Sequence, residues 1–247
     1  MIKVQKNILN QTNGKKQVFQ LAYSTAMLLF LSTLSASLLL TYRVCVTGSF
    51  YYLFLLWNLF LAWLPYLIST AFAELPFLHN RFKALLLFLC WLLFLPNSPY
   101  ILTDLVHLTA RQGIPIWFDA LLIVMFAWTG LLLGLKSIAI VHAYLRSSFS
   151  LFISRSMLAF VILSCSFGIY VGRVLRWNSW DLIVQPVPLV KSILSQFRHP
   201  FHHQQTFGMT FAFSLFLSVS YYTLLVFSDS KIKRQEEQHL KGYSDEE

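Results

Sequence analysis

Acidic, imidazole and guanidinium side chains recur at short spacings in two places of an otherwise apolar chain. Asp104 and His107 are three residues apart, and so are Arg173 and Arg176. Residues with this spacing share one face of a helix. An aspartate beside a histidine can relay a proton or act as a general base, and two arginines can hold an anion. Asp-x-x-His is a weak signal by itself, so its meaning depends on where the chain places it.

Other polar residues are predicted at the same depth as these two pairs, and together they form one candidate pocket. Its members are Asn58, Asn97, Tyr100, Thr103, Asp104, His107, Asp119, Arg173, Arg176, Asn178 and Asp181. The three aspartates and the histidine of this set are also residue types that bind divalent ions. Because no established metal, nucleotide or hydrolase motif is present, we predict neither a metal nor another cofactor.

The composition shows what must position these residues. Of the 247 residues, 57% are hydrophobic and 12% are charged, whereas soluble proteins carry about 25% charged residues. The chain is therefore predicted to lie mostly in lipid. Its formal net charge of +9 is typical of basic residues that flank membrane spans, and we predict no nucleic-acid partner.

Apolar runs divide the chain into about six membrane crossings. Each is close to the roughly 20 residues that span a bilayer as a helix, and they cover residues 18–42, 50–73, 84–108, 119–142, 157–175 and 207–227. The prediction is an all-α, polytopic membrane helix bundle. It has a polar tail at 1–17, a single transmembrane domain at 18–228 and a charged tail at 229–247.

The distribution of Lys and Arg predicts the orientation. With the N-terminus inside, the cytoplasmic segments hold roughly twice as many Lys and Arg residues as the outer segments, as the positive-inside rule requires. Both termini are then cytoplasmic, and the polar residues of the candidate pocket lie at the outer side.

The third crossing is predicted to be broken at Pro96–Pro99. Proline lacks an N–H donor, and Pro99 should hold Ser98 in an extended conformation. The helix from Lys83 reaches the break after about 18 Å of a core about 30 Å thick. Backbone broken at this depth must be covered by protein or line a watery cavity, and a re-entrant segment 84–108 is the alternative to a spanning one.

The convergence of charged residues at one level favours an outward-facing pocket that binds or conducts a polar or anionic solute. One alternative is a membrane-embedded enzyme that acts on a lipid-linked substrate, with His107 or Asp104 as general base. The other is purely structural. In that interpretation Asp104 pairs with Arg173 or Arg176 to hold helix ends together, and Asn58 binds carbonyls freed near Pro96.

Small residues recur every four positions in two neighbouring crossings. They are Gly130 and Gly134 in the fourth, and Ser164, Gly168 and Gly172 in the fifth. Such stripes allow close helix packing in lipid, so we expect these two helices to pack against each other. A homodimer through Gly130/Gly134 or Gly168/Gly172 is the alternative.

The last outer loop contains an amphipathic helix. It is predicted to begin at Pro188, with Leu189, Val190, Ile193, Leu194 and Phe197 on an apolar face. The helix lies either in the membrane interface or as a cap outside the bundle. His199, His202 and His203 follow it and are interpreted as a polar loop.

Three blocks of sequence together resemble a known family. They are Asn58-Leu-Phe-Leu-Ala-Trp-Leu-Pro65, then Leu95-Pro-Asn-Ser-Pro-Tyr-Ile-Leu-Thr-Asp104 with His107-Leu108, and Gly168-Ile-Tyr-Val-Gly-Arg173 with Arg176-Trp-Asn-Ser-Trp-Asp181. Over residues 50–225 the chain resembles the bacterial membrane family called domain of unknown function 1361. The resemblance implies a bacterial cytoplasmic membrane and a polytopic fold, but it supplies no substrate, cofactor or catalytic role. The predicted partners are the bilayer and an unidentified small polar or lipid-linked ligand.

Overall fold

A computed structural model describes the backbone of residues 2–74, 80–110, 113–198 and 204–244, and the side chains of residues 24–72, 80–110, 113–198 and 204–227. The helices in these ranges are α1 (Ile2–Thr47), α2 (Phe54–Glu74), α3 (Arg81–Phe94), α4 (Asn97–Tyr100), α5 (Ile116–Ser148), α6 (Leu151–Arg173), α7 (Asp181–Val184), α8 (Pro186–Arg198) and α9 (Gln204–Ser244). Short 3-10 helices at Tyr51–Leu53 and Ile101–His107 precede α2 and follow α4.

Six helical segments of the described chain are long and apolar enough to cross a membrane. They are Ser24–Thr47, Tyr51–Phe72, Arg81–His107, Ile116–Ser148, Leu151–Arg173 and Gln204–Phe227. The predicted number of crossings and the all-α fold are confirmed. Both terminal helices also continue into the polar segments predicted as tails.

Helix α5 forms the centre of the bundle, because it contributes to both apolar cores. One core joins α5 to α3, α6 and α9, and it contains Trp91, Leu95 and Ile169. The other joins α5 to α1 and α2, and it contains Ile101 and Phe126. The third crossing therefore begins in the first core and ends in the second.

The third crossing changes its backbone conformation where the two prolines predict it. Helix α3 ends at Phe94, a short helix follows from Asn97 to Tyr100, and a 3-10 helix runs from Ile101 to His107. The expectation of an extended Ser98 was wrong, because Ser98 lies inside α4. Its backbone N–H donates to the Leu95 carbonyl at 3.1 Å, so a tight helical turn replaces an extended residue.

The glycine stripes pack on this turn and not on each other, whereas α5 and α6 do contact each other, as expected, through apolar residues of the first core. A Cβ atom at Gly130 would lie 2.5 Å from the Ser98 carbonyl oxygen, and one at Gly168 would lie 2.4 Å from the Pro96 ring. Gly134 similarly faces Ser98, and Gly172 faces the ring of Tyr100. The segment Pro96–Ile101 therefore packs between α5 and α6. The glycines of both helices allow this close approach because they have no side chain.

Helix α8 differs from its prediction at its start and in its faces. It begins at Pro186, two residues before Pro188. The predicted apolar face is divided, since Leu189 is buried whereas Val190, Leu194 and Phe197 are exposed. Gln196, predicted on the polar face, is buried at 4% exposure.

Candidate functional site

Asp104 is the centre of a polar cluster that joins three crossings. Its carboxylate is 1% exposed and accepts hydrogen bonds from Asn58 Nδ2 at 2.8 Å and Arg173 Nη1 at 3.2 Å. Arg173 Nη2 also donates to the Thr103 carbonyl at 2.9 Å. The Tyr100 ring lies 5.9 Å from the Arg173 guanidinium carbon. Five candidate residues predicted from the sequence are therefore assembled at one place.

Asp119 lies in a second, separate ion pair. Its two carboxylate oxygens accept from Arg43 Nε at 2.7 Å and Nη2 at 3.2 Å, and both side chains are 1% exposed. The paired geometry is the strong form of an arginine–carboxylate interaction. It connects the end of α1 to the start of α5. Asp119 is thus engaged by a residue outside the predicted set.

Tyr52 connects the Arg43–Asp119 pair to the end of the third crossing. Its ring lies 4.4 Å from the Arg43 guanidinium carbon, in a cation–π contact, and its hydroxyl donates to the His107 carbonyl at 3.2 Å. Tyr52 is fully buried. We call the end of the bundle that contains Arg43, Tyr52, His107, Asp119 and Arg173 the polar end.

His107 follows Asp104 at the polar end with a different environment. It is half-buried, and its ring meets the Phe54 ring edge-on at a centroid distance of 5.2 Å. No described residue forms a hydrogen bond with its imidazole.

Asn97 forms hydrogen bonds where the third crossing is broken at Pro96–Pro99. Its Nδ2 donates to the Phe94 carbonyl at 2.9 Å and to Ser179 Oγ at 3.1 Å, and Ser179 Oγ donates to the Leu93 carbonyl at 3.0 Å. These carbonyls lose their usual helical partners at the end of α3. Asn58 does not take this role, because its amide binds Asp104.

Arg176, Asn178 and Asp181 belong to the turn that follows α6. Arg176 is exposed and has a φ of +60°, a conformation that is uncommon for a residue with a side chain. Asp181 Oδ2 accepts from the Asn178 backbone N–H at 2.6 Å and from Asn178 Nδ2 at 3.3 Å. The turn places Trp180 against Trp57 of α2, with ring centroids 6.4 Å apart.

The family described as "Protein of unknown function (DUF1361)" matches residues 57–219, about two-thirds of the chain. The chain belongs to the DUF1361 family. The matched range contains the Asp104 cluster, the break and the turn after α6. No curated protein and no solved structure matches this chain.

Sequence reasoning missed three residues of the polar end in this DUF1361 protein. In the sequence, Arg43 resembles any other charge that flanks a span, Tyr52 lies within an apolar run, and Ser179 lies in a polar loop. One signal was available for Arg43. It is a single cation after a long apolar run, at the membrane level where Asp119 begins the fourth crossing.

A shallow surface depression lies away from the polar end, in the middle of α9, and it is lined by Ser218, Tyr222, Thr223 and Phe227. An enclosed apolar gap beside Pro99, Gly134 and Cys165 has no room for a water molecule. Within the described residues, no three His, Cys, Asp or Glu side chains are grouped closely enough to share a metal ion. His199, His202 and His203 lie outside the described residues.

Proposed function

We propose that the polar end of this DUF1361 protein is an outward-facing site that binds the anionic group of a polar solute or headgroup. Arg173 and Arg176 are the binding side chains. The same proposal puts the protein in a bacterial cytoplasmic membrane, with both termini inside. The geometry of Arg173 carries it.

Arg173 is held in position and still reaches the surface. A guanidinium has five N–H donors, and in the described part of the chain Arg173 uses two of them, toward Asp104 and the Thr103 carbonyl. Its side chain is 19% exposed, whereas Asp104 is 1% exposed. A cation fixed by a buried acid loses little freedom when it binds a ligand, so its remaining donors favour an anion.

Arg176 supplies the second positive charge. It is exposed, and the nearby carboxylate of Asp181 is already bound by Asn178. Trp57 and Trp180 lie beside the same turn. An anion at Arg173 would therefore meet a second guanidinium and an aromatic edge.

His107 supports a second candidate function, an enzyme that acts on a lipid-linked substrate. Its imidazole is half-buried, follows Asp104 by three residues and has no hydrogen-bonding partner among the described residues. Such a group is suited to take a proton from a substrate.

Burial of both aspartates in ion pairs supports the third alternative, a structural protein without pocket chemistry.

Thermal unfolding of the purified chain tests anion binding. Inorganic phosphate should raise the unfolding midpoint relative to chloride at equal ionic strength, because a ligand that binds only the folded state stabilises it. A parallel series with phosphatidylglycerol and phosphatidylcholine distinguishes a headgroup from a free anion. Arg176→Gln should remove the phosphate or phosphatidylglycerol shift.

Arg155→Gln is the matched control, since Arg155 is exposed near the start of α6, at its opposite end. It should keep the full shift. Equal shifts in both variants would show that phosphate acts at neither arginine and would overturn the proposal.

A comparison of lipids and metabolites in cells with and without the gene then separates the functions. Accumulation of one lipid-linked intermediate would favour the enzyme, and altered uptake or export alone would favour solute binding.

A further inference from the structure

Helix α8 has an apolar face that the described part of the chain leaves about half exposed. Val187, Val190, Leu194 and Phe197 are between 46% and 61% exposed. Their spacing puts them on one side of the helix. The opposite side buries Leu189 and Gln196, so the orientation of α8 about its own axis is fixed.

The contacts of Gln196 set the depth of α8. Gln196 Oε1 accepts from the Tyr170 hydroxyl at 3.1 Å and from Thr206 Oγ1 at 3.0 Å. Tyr170 lies in the last turn of α6 and Thr206 in the first turn of α9. Helix α8 is therefore attached where two crossings meet the membrane boundary.

Phe197 extends deeper than this boundary. Its ring is 5.5 Å from the Phe167 ring and 6.2 Å from the Phe207 ring. Phe167 precedes the end of α6 by six residues, which corresponds to about 9 Å along the helix axis. Interfacial helices bury their apolar face by about 5–10 Å, so the exposed side chains of α8 lie at a depth where acyl chains would cover them.

The charges beside this face indicate the chemistry of the lipid. Lys191 and Arg198 are both exposed, seven residues apart, and each follows an exposed apolar residue of the face. Segment Pro186–Arg198 contains no acidic residue. A second copy of α8 would bring the same two cations to the contact, whereas anionic headgroups would neutralise them.

We infer that α8 is an interfacial helix whose apolar face enters the leaflet at the polar end, while Lys191 and Arg198 bind anionic phospholipid headgroups. This lipid contact does not depend on Arg173 or Arg176. It assigns to α8 the interfacial position rather than that of a cap outside the bundle.

Quenching of a fluorophore on α8 tests the inference in the full chain. The background replaces the two exposed cysteines, Cys45→Ser and Cys90→Ser, and keeps the buried Cys165. Leu194→Cys carries the fluorophore, and Ser195→Cys, exposed on the polar side, is the matched control. Nanodiscs contain acyl-chain nitroxides on either phosphatidylglycerol or phosphatidylcholine.

Leu194→Cys should be quenched more strongly than Ser195→Cys by both lipids. Phosphatidylglycerol should quench it more than phosphatidylcholine, because each cation near the surface enriches anionic lipid by about fivefold. In the double variant Lys191→Gln with Arg198→Gln, the two lipids should quench the fluorophore equally. Arg176→Gln should leave the stronger quenching by phosphatidylglycerol unchanged, so failure of the anion site and failure of this inference are distinguishable.

Absence of quenching at Leu194→Cys would overturn the inference, as would equal quenching by the two lipids in the protein with both cations. Quenching that falls as the ratio of protein to lipid rises would also overturn it, because a second copy would then cover α8.

Discussion

The two buried aspartates of the polar end differ in how far their arginine partners reach the surface. Arg43 is 1% exposed, and Asp119 compensates its positive charge, whereas Arg173 is 19% exposed. Asp104 also has a neutral donor in Asn58. We therefore expect the Arg43–Asp119 pair to stabilise the fold. The Arg173–Asp104 pair should tolerate the loss of one charge.

Asp119→Asn should destabilise the protein by about 3–5 kcal/mol, because it leaves Arg43 buried without compensation. Asp104→Asn should cost about 1–2 kcal/mol, since an amide oxygen can still accept from Arg173 or Asn58. Abundance in the membrane and the unfolding midpoint in detergent measure both effects. Asp119→Asn combined with Arg43→Gln should recover stability.

The opposite ranking has a clear meaning. If Asp104→Asn is lost from the membrane and Arg173→Gln restores it, Asp104 is only a structural counter-ion. Normal abundance of Asp104→Asn with phosphate binding retained or strengthened would agree with the proposed site, because Arg173 keeps an acceptor while the competing negative charge is removed.

Among the helices, the packing of Pro96–Ile101 between α5 and α6 controls the position of Asp104. The glycines on both sides permit this packing because their backbones come within contact distance of Ser98 and Pro96. A proline ring and a backbone carbonyl cannot move aside as the end of a flexible side chain can. Even one added methyl group at these glycines should therefore shift the third crossing.

Gly130→Ala and Gly168→Ala should each destabilise the protein by about 1–3 kcal/mol, the usual cost of overpacking. Gly208→Ala is the control, since a Cβ atom there has no neighbour within 4 Å and alanine is the better helix former. It should be neutral or slightly stabilising in a detergent unfolding assay. Unchanged midpoints for Gly130→Ala and Gly168→Ala would contradict the close packing of the break.

A homodimer through these glycines stays a prediction, and their coverage within the chain gives it no support.

For the whole molecule, the contacts favour a third crossing that spans the membrane. The third crossing begins at Arg81, after the end of α2 that is farther from the polar end. It ends at His107, whose backbone carbonyl contacts Tyr52 at the polar end. A re-entrant segment would instead return to the side where it began. The same contacts place the starts and ends of successive crossings alternately at the two ends of the bundle.

Reporter fusions after Gly14 and after Lys241 should both indicate the cytoplasm, and a fusion at Gln204–Gln205 should indicate the outside. The expected result follows from the distribution of Lys and Arg and from an even number of crossings. A cytoplasmic signal at Gln204–Gln205 would invert the later crossings and remove the outward-facing site.

Much of the architecture could be predicted because it depends on local chemistry. A run of apolar residues long enough to span a bilayer must form a helix, since lipid offers no hydrogen bonds to the backbone. Pro96 and Pro99 lack the donor that a continuous helix needs, so the break was predictable too. The pairing of Asp104 with an arginine of the fifth crossing was one of the stated alternatives.

Which polar groups meet depends on how the helices pack in three dimensions. Asp119 binds Arg43 instead of joining Asp104, Asn97 and Ser179 satisfy backbone carbonyls, and the glycine stripes face the broken crossing. In lipid, apolar faces toward the bilayer and toward the bundle have similar composition, so periodicity does not identify a helix's neighbours. The apolar runs and the two prolines are enough to predict the crossings and the position of the break. The partner of each buried charge depended on the three-dimensional arrangement of helices that are distant in sequence.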